Sequence, residues 1–305
     1  MGDAPVEGKA AGAAPSGAAP RRAIRTPMSD TDRWDYVKLR GDDIIVASWA
    51  KTGTTLTQQM VYQLVTGGAD EVAAVEASPW IERRAGGPPE AIGAMLEAQT
   101  HRRVMKTHSP FEATPFVDTI KYIYVGRDGR DVAWSLHNHV LLEVEQLKAM
   151  QAAGQAAPPP DAELPDVRTF YLHWLQAPDD APDQEPSFWV NAQSWWNQRH
   201  RPNVLLLHYA RLIADLPSEM RRLAAFLDIP LDEARLPSLV ERCGLDYMRR
   251  RAAGSRFPPG FFNKGTNGRW RDVLSPEEAA LCDEVAAEKL TADCAHWLKT
   301  GELAG

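Results

Sequence analysis

Short apolar runs bounded by polar residues or glycine recur along the chain at Ile44–Ala47, Val104–Met105, Ile120–Val125 and Val204–Leu207. Each is rich in β-branched residues or leucine and none alternates with polar positions. That pattern predicts strands covered on both faces, as in a parallel sheet. The intervening segments carry a helical period. Leu56, Met60, Val61, Leu64 and Val65 fall on one face of a helix predicted over Thr55–Val65. Further helices are predicted at Asp131–Leu142, Trp189–Arg199, Pro217–Leu227 and Pro276–Leu290. Strand and helix in alternation imply an α/β class with a mostly parallel central sheet and helices on both faces, a three-layer α/β/α arrangement.

Two segments break the alternation. Residues 1–30 are rich in Ala, Gly and Pro and read as a disordered leader ahead of one domain over 31–300. Residues 149–187, with Pro158-Pro159-Pro160 and further prolines up to Pro186, read as an inserted surface loop in which Val167–Leu175 can form a short helix.

Composition narrows the function classes. Hydrophobic residues make up 44% and charged residues 25%, ordinary for a globular domain. The net charge of −7, from 34 Lys+Arg against 41 Asp+Glu, argues against nucleic acid as a partner. Three cysteines, Cys243, Cys282 and Cys294, form no CxxC pair, so neither a disulfide framework nor a zinc site is expected and a reducing cytoplasm is the expected location. No stretch approaches the roughly 20 apolar residues of a membrane helix. His137 and His139 are two apart on a predicted helix and point to different faces, so they are read as structural, not as metal ligands.

The chemistry concentrates where predicted strands end. After Ile44–Ala47 the chain reads Ser48-Trp49-Ala50-Lys51-Thr52-Gly53-Thr54-Thr55 and enters a helix. Gly53 permits a tight turn, the first helical N–H groups lack internal partners, and Lys51 adds a full charge, which together suit an anion. A Walker A loop places Gly before Lys and keeps a hydroxyl for Mg²⁺. Here Lys51 precedes Gly53, so phosphate is held without Walker-type nucleotide chemistry and no metal is expected. Three more segments follow: Lys106-Thr107-His108-Ser109-Pro110, Arg127-Asp128-Gly129-Arg130-Asp131 continuing to Ser135, and Lys264-Gly265-Thr266-Asn267-Gly268-Arg269-Trp270. Open α/β sheets place ligands at such strand ends.

These four segments, in order from about Trp34 to Trp270, resemble the soluble sulfotransferase family, which moves a sulfuryl group from 3'-phosphoadenosine 5'-phosphosulfate (PAPS) to a hydroxyl or amine and releases 3'-phosphoadenosine 5'-phosphate (PAP). The family pattern is P-K-S-G-T-T-W, then K-T-H-x-P, then R-x(7)-S, then R-K-G-x-x-G-x-W. The resemblance implies a P-loop-like loop over Lys51, Thr52, Gly53, Thr54 and Thr55 for the 5'-phosphosulfate, and Arg127, Ser135, Tyr209, Lys264 and Gly265 at the 3'-phosphate. It implies His108 as general base, with Lys51 and Lys106 neutralising charge on the bridging and sulfuryl oxygens. The acceptor it implies is a small molecule or a lipid.

This chain departs from the pattern at Leu56, where the family has the tryptophan that stacks on adenine, at Cys243-Gly244-Leu245 in place of Thr-Ser-Phe, and at Asn263 in place of arginine. The family's C-terminal dimerisation motif is not recognisable around Trp270–Ala280, and the sequence assigns no oligomeric state. Two other readings stay open on the residues alone: a nucleotide or small-molecule kinase with a related phosphate loop, and a non-catalytic protein of the same fold that holds PAP or another ligand. Trp34, Trp80, Phe111 and Trp189 can line an acceptor pocket or the core. Residues 256–270, mixing glycines and prolines with aromatics, are expected to close over the nucleotide as a clasp.

Overall fold

The computed structural model describes residues 21–69, 72–153, 164–252 and 260–303. Four parallel strands, β1 (Ile44–Ser48), β2 (Val104–Thr107), β3 (Lys121–Gly126) and β4 (Val204–His208), form one sheet in the order β2-β1-β3-β4. Ile44 stands opposite Val104 on one side and Lys121 on the other, and Tyr122 stands opposite Val204. β1 and β4 are buried along their whole length, which is why their sequences show no alternation.

The alternation is still present in space. Ile45, Ala47, Met105, Tyr122, Tyr124 and Leu206 belong to one core with the aromatic helix Phe188–Trp196 and with Trp297. Ile44, Val46, Val104, Ile123, Val125, Leu205 and Leu207 belong to the other, with Met60, Val61 and Leu64 of helix α1 (Thr54–Val65) and with Met220 and Leu223. Successive residues of a strand thus face opposite layers, and both layers are apolar. The result is the expected three-layer α/β/α fold.

Several helices begin where side chains satisfy their first N–H groups. Asp128 accepts from Arg130 N, Asp166 from Arg168 N and Thr169 N, Ser187 from Val190 N, and Ser275 forms a capping box with Glu278. The helix expected over Asp131–Leu142 runs from Gly129 to Ala152 and so enters the segment expected to be loop from 149. Val167–Leu175 is helical, and residues 154–163 of the expected insertion lie outside the described residues. Residues 1–20 of the expected leader also lie outside them. From Arg21 onward the chain is packed: Ile24 is buried, Arg22 N donates to Glu112 O, and Thr26 and Ser29 both donate to Glu185 at 2.5 Å. Among the described residues no helix is long and apolar enough to cross a membrane.

Candidate active site

The strand order reverses direction at β1 and β3, the place where open sheets of this kind hold ligands. All four chemistry-bearing segments found in the sequence emerge at the carboxyl ends of strands or close onto them.

After β1 the backbone turns through Lys51 with φ 68° and Gly53 with φ 119°. Gly53 is required twice over, because a Cβ there would lie 2.7 Å from Tyr209 Cδ2. Gly53 is also the N-cap of α1 and supplies no side-chain hydrogen bond, so the first turn of this helix is open. The hydroxyls divide their work. Thr52 is buried and donates to Trp49 O at 2.9 Å, closing the turn. Thr54 Oγ1 pairs with Ser48 Oγ at 2.6 Å. Thr55 is half-buried on the first turn. The side chains of Thr52 and Thr54 are therefore committed to the loop itself, and what these two can offer an anion is backbone N–H.

Lys51 and Arg127 lie together at this turn. Arg127 is buried, donates through Nη1 to Lys51 O at 3.0 Å and through Nη2 to Thr266 O at 3.3 Å, and donates through Nε to Asn267 Oδ1 at 3.0 Å. Its guanidinium lies 4.2 Å from the Tyr209 ring centroid. Among the described residues neither Lys51 nor Arg127 has a carboxylate within salt-bridge distance, although both sit in low dielectric. The Lys51 ammonium is pushed down to about 8, first by burial and then by the Arg127 charge. Gly265, with φ 67°, brings the last segment against Tyr209 and Leu245. Asp131, read from sequence as structural, accepts from Gly268 N at 2.7 Å and ties that segment down.

His108 follows β2. Its Nδ1 lies 2.8 Å from Ser48 O, and a carbonyl only accepts, so Nδ1 carries the hydrogen and Nε2 the lone pair. Burial, and then the Lys106 charge, hold the imidazole well below its ordinary pKa, so it is neutral at pH 7. Lys106 Nζ lies 4.8 Å over the Trp80 ring, and the same indole meets the His108 ring at 4.7 Å. Ser48 bonds Thr54 of the open helix as well as His108, so it couples the two halves of the site.

The structure thus brings together Lys51, Gly53, Thr54, Arg127, Tyr209, Gly265, Lys106 and His108. Ser135 lies half-buried on the helix Gly129–Ala152, and Lys264 is exposed beside Gly265. Of the aromatics read as core or pocket, Trp34 and Trp189 are core and Phe111 packs against it. Residues 256–259 of the expected clasp lie outside the described residues. Within the remainder, Phe261 stacks under Lys51 Nζ at 4.6 Å and meets His139 at 5.7 Å. Ser48 was not foreseen as a contact of the site, whereas Phe261, Thr266 and Asn267 lie in the segment 256–270 that was expected to close over it. Ser48 carried a signal, since it ends β1 one turn before Thr52.

Comparison with known proteins supplies the family and the fold. The Sulfotransferase domain family matches residues 41–293. The chain belongs to the sulfotransferase family. It is 33% identical over 290 residues to a glycolipid sulfotransferase of Mycobacterium bovis, covering 85% of this chain and 88% of that one. In fold it is similar to a retinol dehydratase crystallised with androsterone and inactive cofactor PAP, with a TM-score of 0.68, 22% identity and coverage of 90% and 88%. It is equally similar to mouse sulfotransferase SULT7A1 complexed with PAP, with a TM-score of 0.68, 21% identity and coverage of 88% and 91%. This sulfotransferase therefore presents its motif residues on the fold of its family, and a kinase reading of the Lys51 loop no longer has support.

Proposed function

We propose that this sulfotransferase transfers a sulfuryl group from PAPS to a hydroxyl of a small-molecule or lipid acceptor, with His108 as base and PAP as product. One observation carries the reading: the buried Arg127 and the half-buried Lys51 lie together at the turn that opens the uncapped helix α1, with no carboxylate among the described residues within salt-bridge distance of either, next to a histidine whose Nε2 carries a lone pair and no hydrogen. Burying like charges side by side is unfavourable unless an anion compensates them. A nucleotide carrying two phosphate groups supplies that compensation.

In this reading PAPS supplies the sulfuryl group and the residues do the rest. The open turn of α1, with the N–H groups of Thr52, Gly53, Thr54 and Thr55, holds the 5'-phosphosulfate. Arg127 grips the 3'-phosphate, assisted by Ser135, Tyr209, Lys264 and Gly265. His108 Nε2 takes the acceptor proton as the acceptor oxygen bonds to sulfur and the bond from sulfur to the bridging oxygen breaks. Lys51 and Lys106 stabilise the charge left on the phosphate. The residues suit this donor, with Leu56 and Leu245 giving the adenine apolar contact in place of aromatic stacking and Asn263 standing in place of an arginine. The relative named for glycolipid sulfation makes a glycolipid hydroxyl the first acceptor to assay.

The test is turnover with PAPS over an acceptor panel, read as PAP formed. His108→Ala is expected to lower kcat by about 10²–10⁴ with PAP affinity nearly unchanged. Wild-type turnover in the variant would move the base elsewhere, and tight PAP binding without turnover on any acceptor would favour the binding-protein alternative.

A further inference from the structure

Glu82 is a fully buried carboxylate that the mechanism above does not use. Its Oε1 accepts from Trp34 Nε1 at 2.7 Å, from Thr107 Oγ1, and from Ser109 Oγ at 3.2 Å. Among the described residues its Oε2 has no hydrogen-bond partner. Burial raises its pKa against the effect of those three donors. A buried carboxylate with one oxygen unmatched is unfavourable, so apolar packing alone does not explain it.

What the carboxylate holds is specific. Thr107 and Ser109 are the two neighbours of His108. Thr107 Oγ1 also accepts from Ser109 N at 3.0 Å, so the turn carrying the histidine is closed through side chains that converge on one oxygen. The backbone of the turn is held as well: Asn191 Nδ2 donates to His108 O at 2.8 Å and Trp195 Nε1 to Ser109 O at 3.1 Å. The segment that carries Glu82 runs beside β2. Lys106 N donates to Pro79 O at 2.9 Å, Ile81 N donates to Lys106 O at 3.2 Å, and Trp80 forms a parallel bridge with Lys106. Trp80 and Glu82, two residues apart, therefore reach the same short stretch: the indole touches His108 and Lys106, and the carboxylate holds residues 107 and 109.

We propose that Glu82 is a positioning residue for His108, fixing the imidazole through Thr107 and Ser109, with Pro79–Glu82 acting as a strap along β2. The proposal rests on the reading of His108 as base. A base must be held close to its productive geometry, and small displacements cost rate without costing donor affinity. Thr107 and Ser109 offer a way to cut the strap's grip while Glu82 keeps its bond to Trp34.

The experiment is a mutant cycle on the full chain with PAPS and one accepted acceptor. Thr107→Val combined with Ser109→Ala is expected to lower kcat about 10–100-fold, with the Kd for PAP within about threefold. Glu82→Gln, which retains an acceptor oxygen, is expected to stay within about fivefold of wild type. In the His108→Ala background the Thr107/Ser109 pair is expected to change kcat by less than about twofold, because a turn with no base to position has nothing left to lose. Equal losses in both backgrounds, a parallel loss of PAP affinity, or wild-type kcat in the double variant would each overturn the positioning role. Wild-type turnover in His108→Ala alone would overturn the base assignment itself, and the two failures are distinct.

Discussion

The turns after β1 and β3 are neighbours in the sheet and both lead into helices, yet their ends are built oppositely. After β3, Asp128 caps the helix Gly129–Ala152 by accepting from Arg130 N at 2.9 Å, and its carboxylate pairs with the Arg130 guanidinium at 2.8 Å. The positive end of that helix is already satisfied by the chain's own anion. After β1, Gly53 caps nothing and no acidic residue stands in the first turn of α1. Lys51 and Arg127 are added to a positive end that is left open. The pair shows that a strand–turn–helix unit is not in itself a phosphate site. On the proposed reading, what makes one is the omission of the internal cap together with cations, Lys51 and Arg127, that have no carboxylate within salt-bridge distance among the described residues. Arg127 is the bridge between the two designs: it leaves β3 just before the capped turn and reaches across to Lys51 O.

The largest expected effect comes from removing that bridge. Arg127→Ala is expected to weaken PAP about 10²–10³-fold while weakening adenosine 5'-monophosphate less than about fivefold, since only PAP has a 3'-phosphate. Calorimetry with both nucleotides checks it, and equal losses would place Arg127 at the 5' side. A smaller effect comes from giving the open turn what the other turn has. Thr55→Glu places a carboxylate in the first turn of α1, where the helix dipole favours it. The melting temperature is expected to hold or rise slightly while PAP affinity falls about 10–100-fold. Tight PAP binding in this variant would break the contrast between the two turns.

The open turn after β1 was legible in the sequence, and the reason is local; the Asp128 cap after β3 was not. Strand burial follows from uninterrupted apolar runs, and the order of Lys51 before Gly53 was enough to separate the loop from a Walker arrangement. Side-chain commitments were not legible. Thr52 and Thr54 read equally well as phosphate ligands, and only the three-dimensional turn shows them bonded to Trp49 O and Ser48 Oγ. Glu82 was hidden for the same reason, since Ser78-Pro79-Trp80-Ile81-Glu82 carries no periodic signal and acquires its role by lying along β2. The ordered stretch 21–30 was read as leader because its composition continues the Ala- and Pro-rich run before it, whereas its contacts are to Glu112 and Glu185 far along the chain.

A titration sharpens the cationic side. The Lys51 ammonium is depressed to about 8, so it is charged below that pH and loses its proton as the pH rises through it. PAP affinity is therefore expected to fall above about pH 8, by at most about tenfold per pH unit, and bound PAP is expected to raise the Lys51 pKa by linkage. Lys51→Met is expected to bind more weakly at pH 7 and to lose this dependence. A wild-type affinity flat from pH 7 to 9.5 would mean that Lys51 does not face the nucleotide.

The smallest effect tests the capped turn. Asp128→Asn keeps a capping oxygen for Arg130 N, because asparagine caps as well as aspartate does. It removes the charge that pairs with Arg130, leaving the guanidinium with Asp283 at 3.3 Å and Ala279 O at 3.3 Å. Weakening one charged hydrogen-bonded pair at a largely buried arginine is expected to cost about 1–2 kcal/mol of stability, read by urea unfolding. The same change takes a negative charge away from the neighbourhood of Arg127, so PAP affinity is expected to stay level or tighten by at most about threefold. Stability and affinity thus move in opposite senses if Asp128 serves only its own helix. A loss of PAP affinity beyond about threefold, with the fold intact, would show that the capped turn also serves the nucleotide, and the division between the two strand ends would not hold.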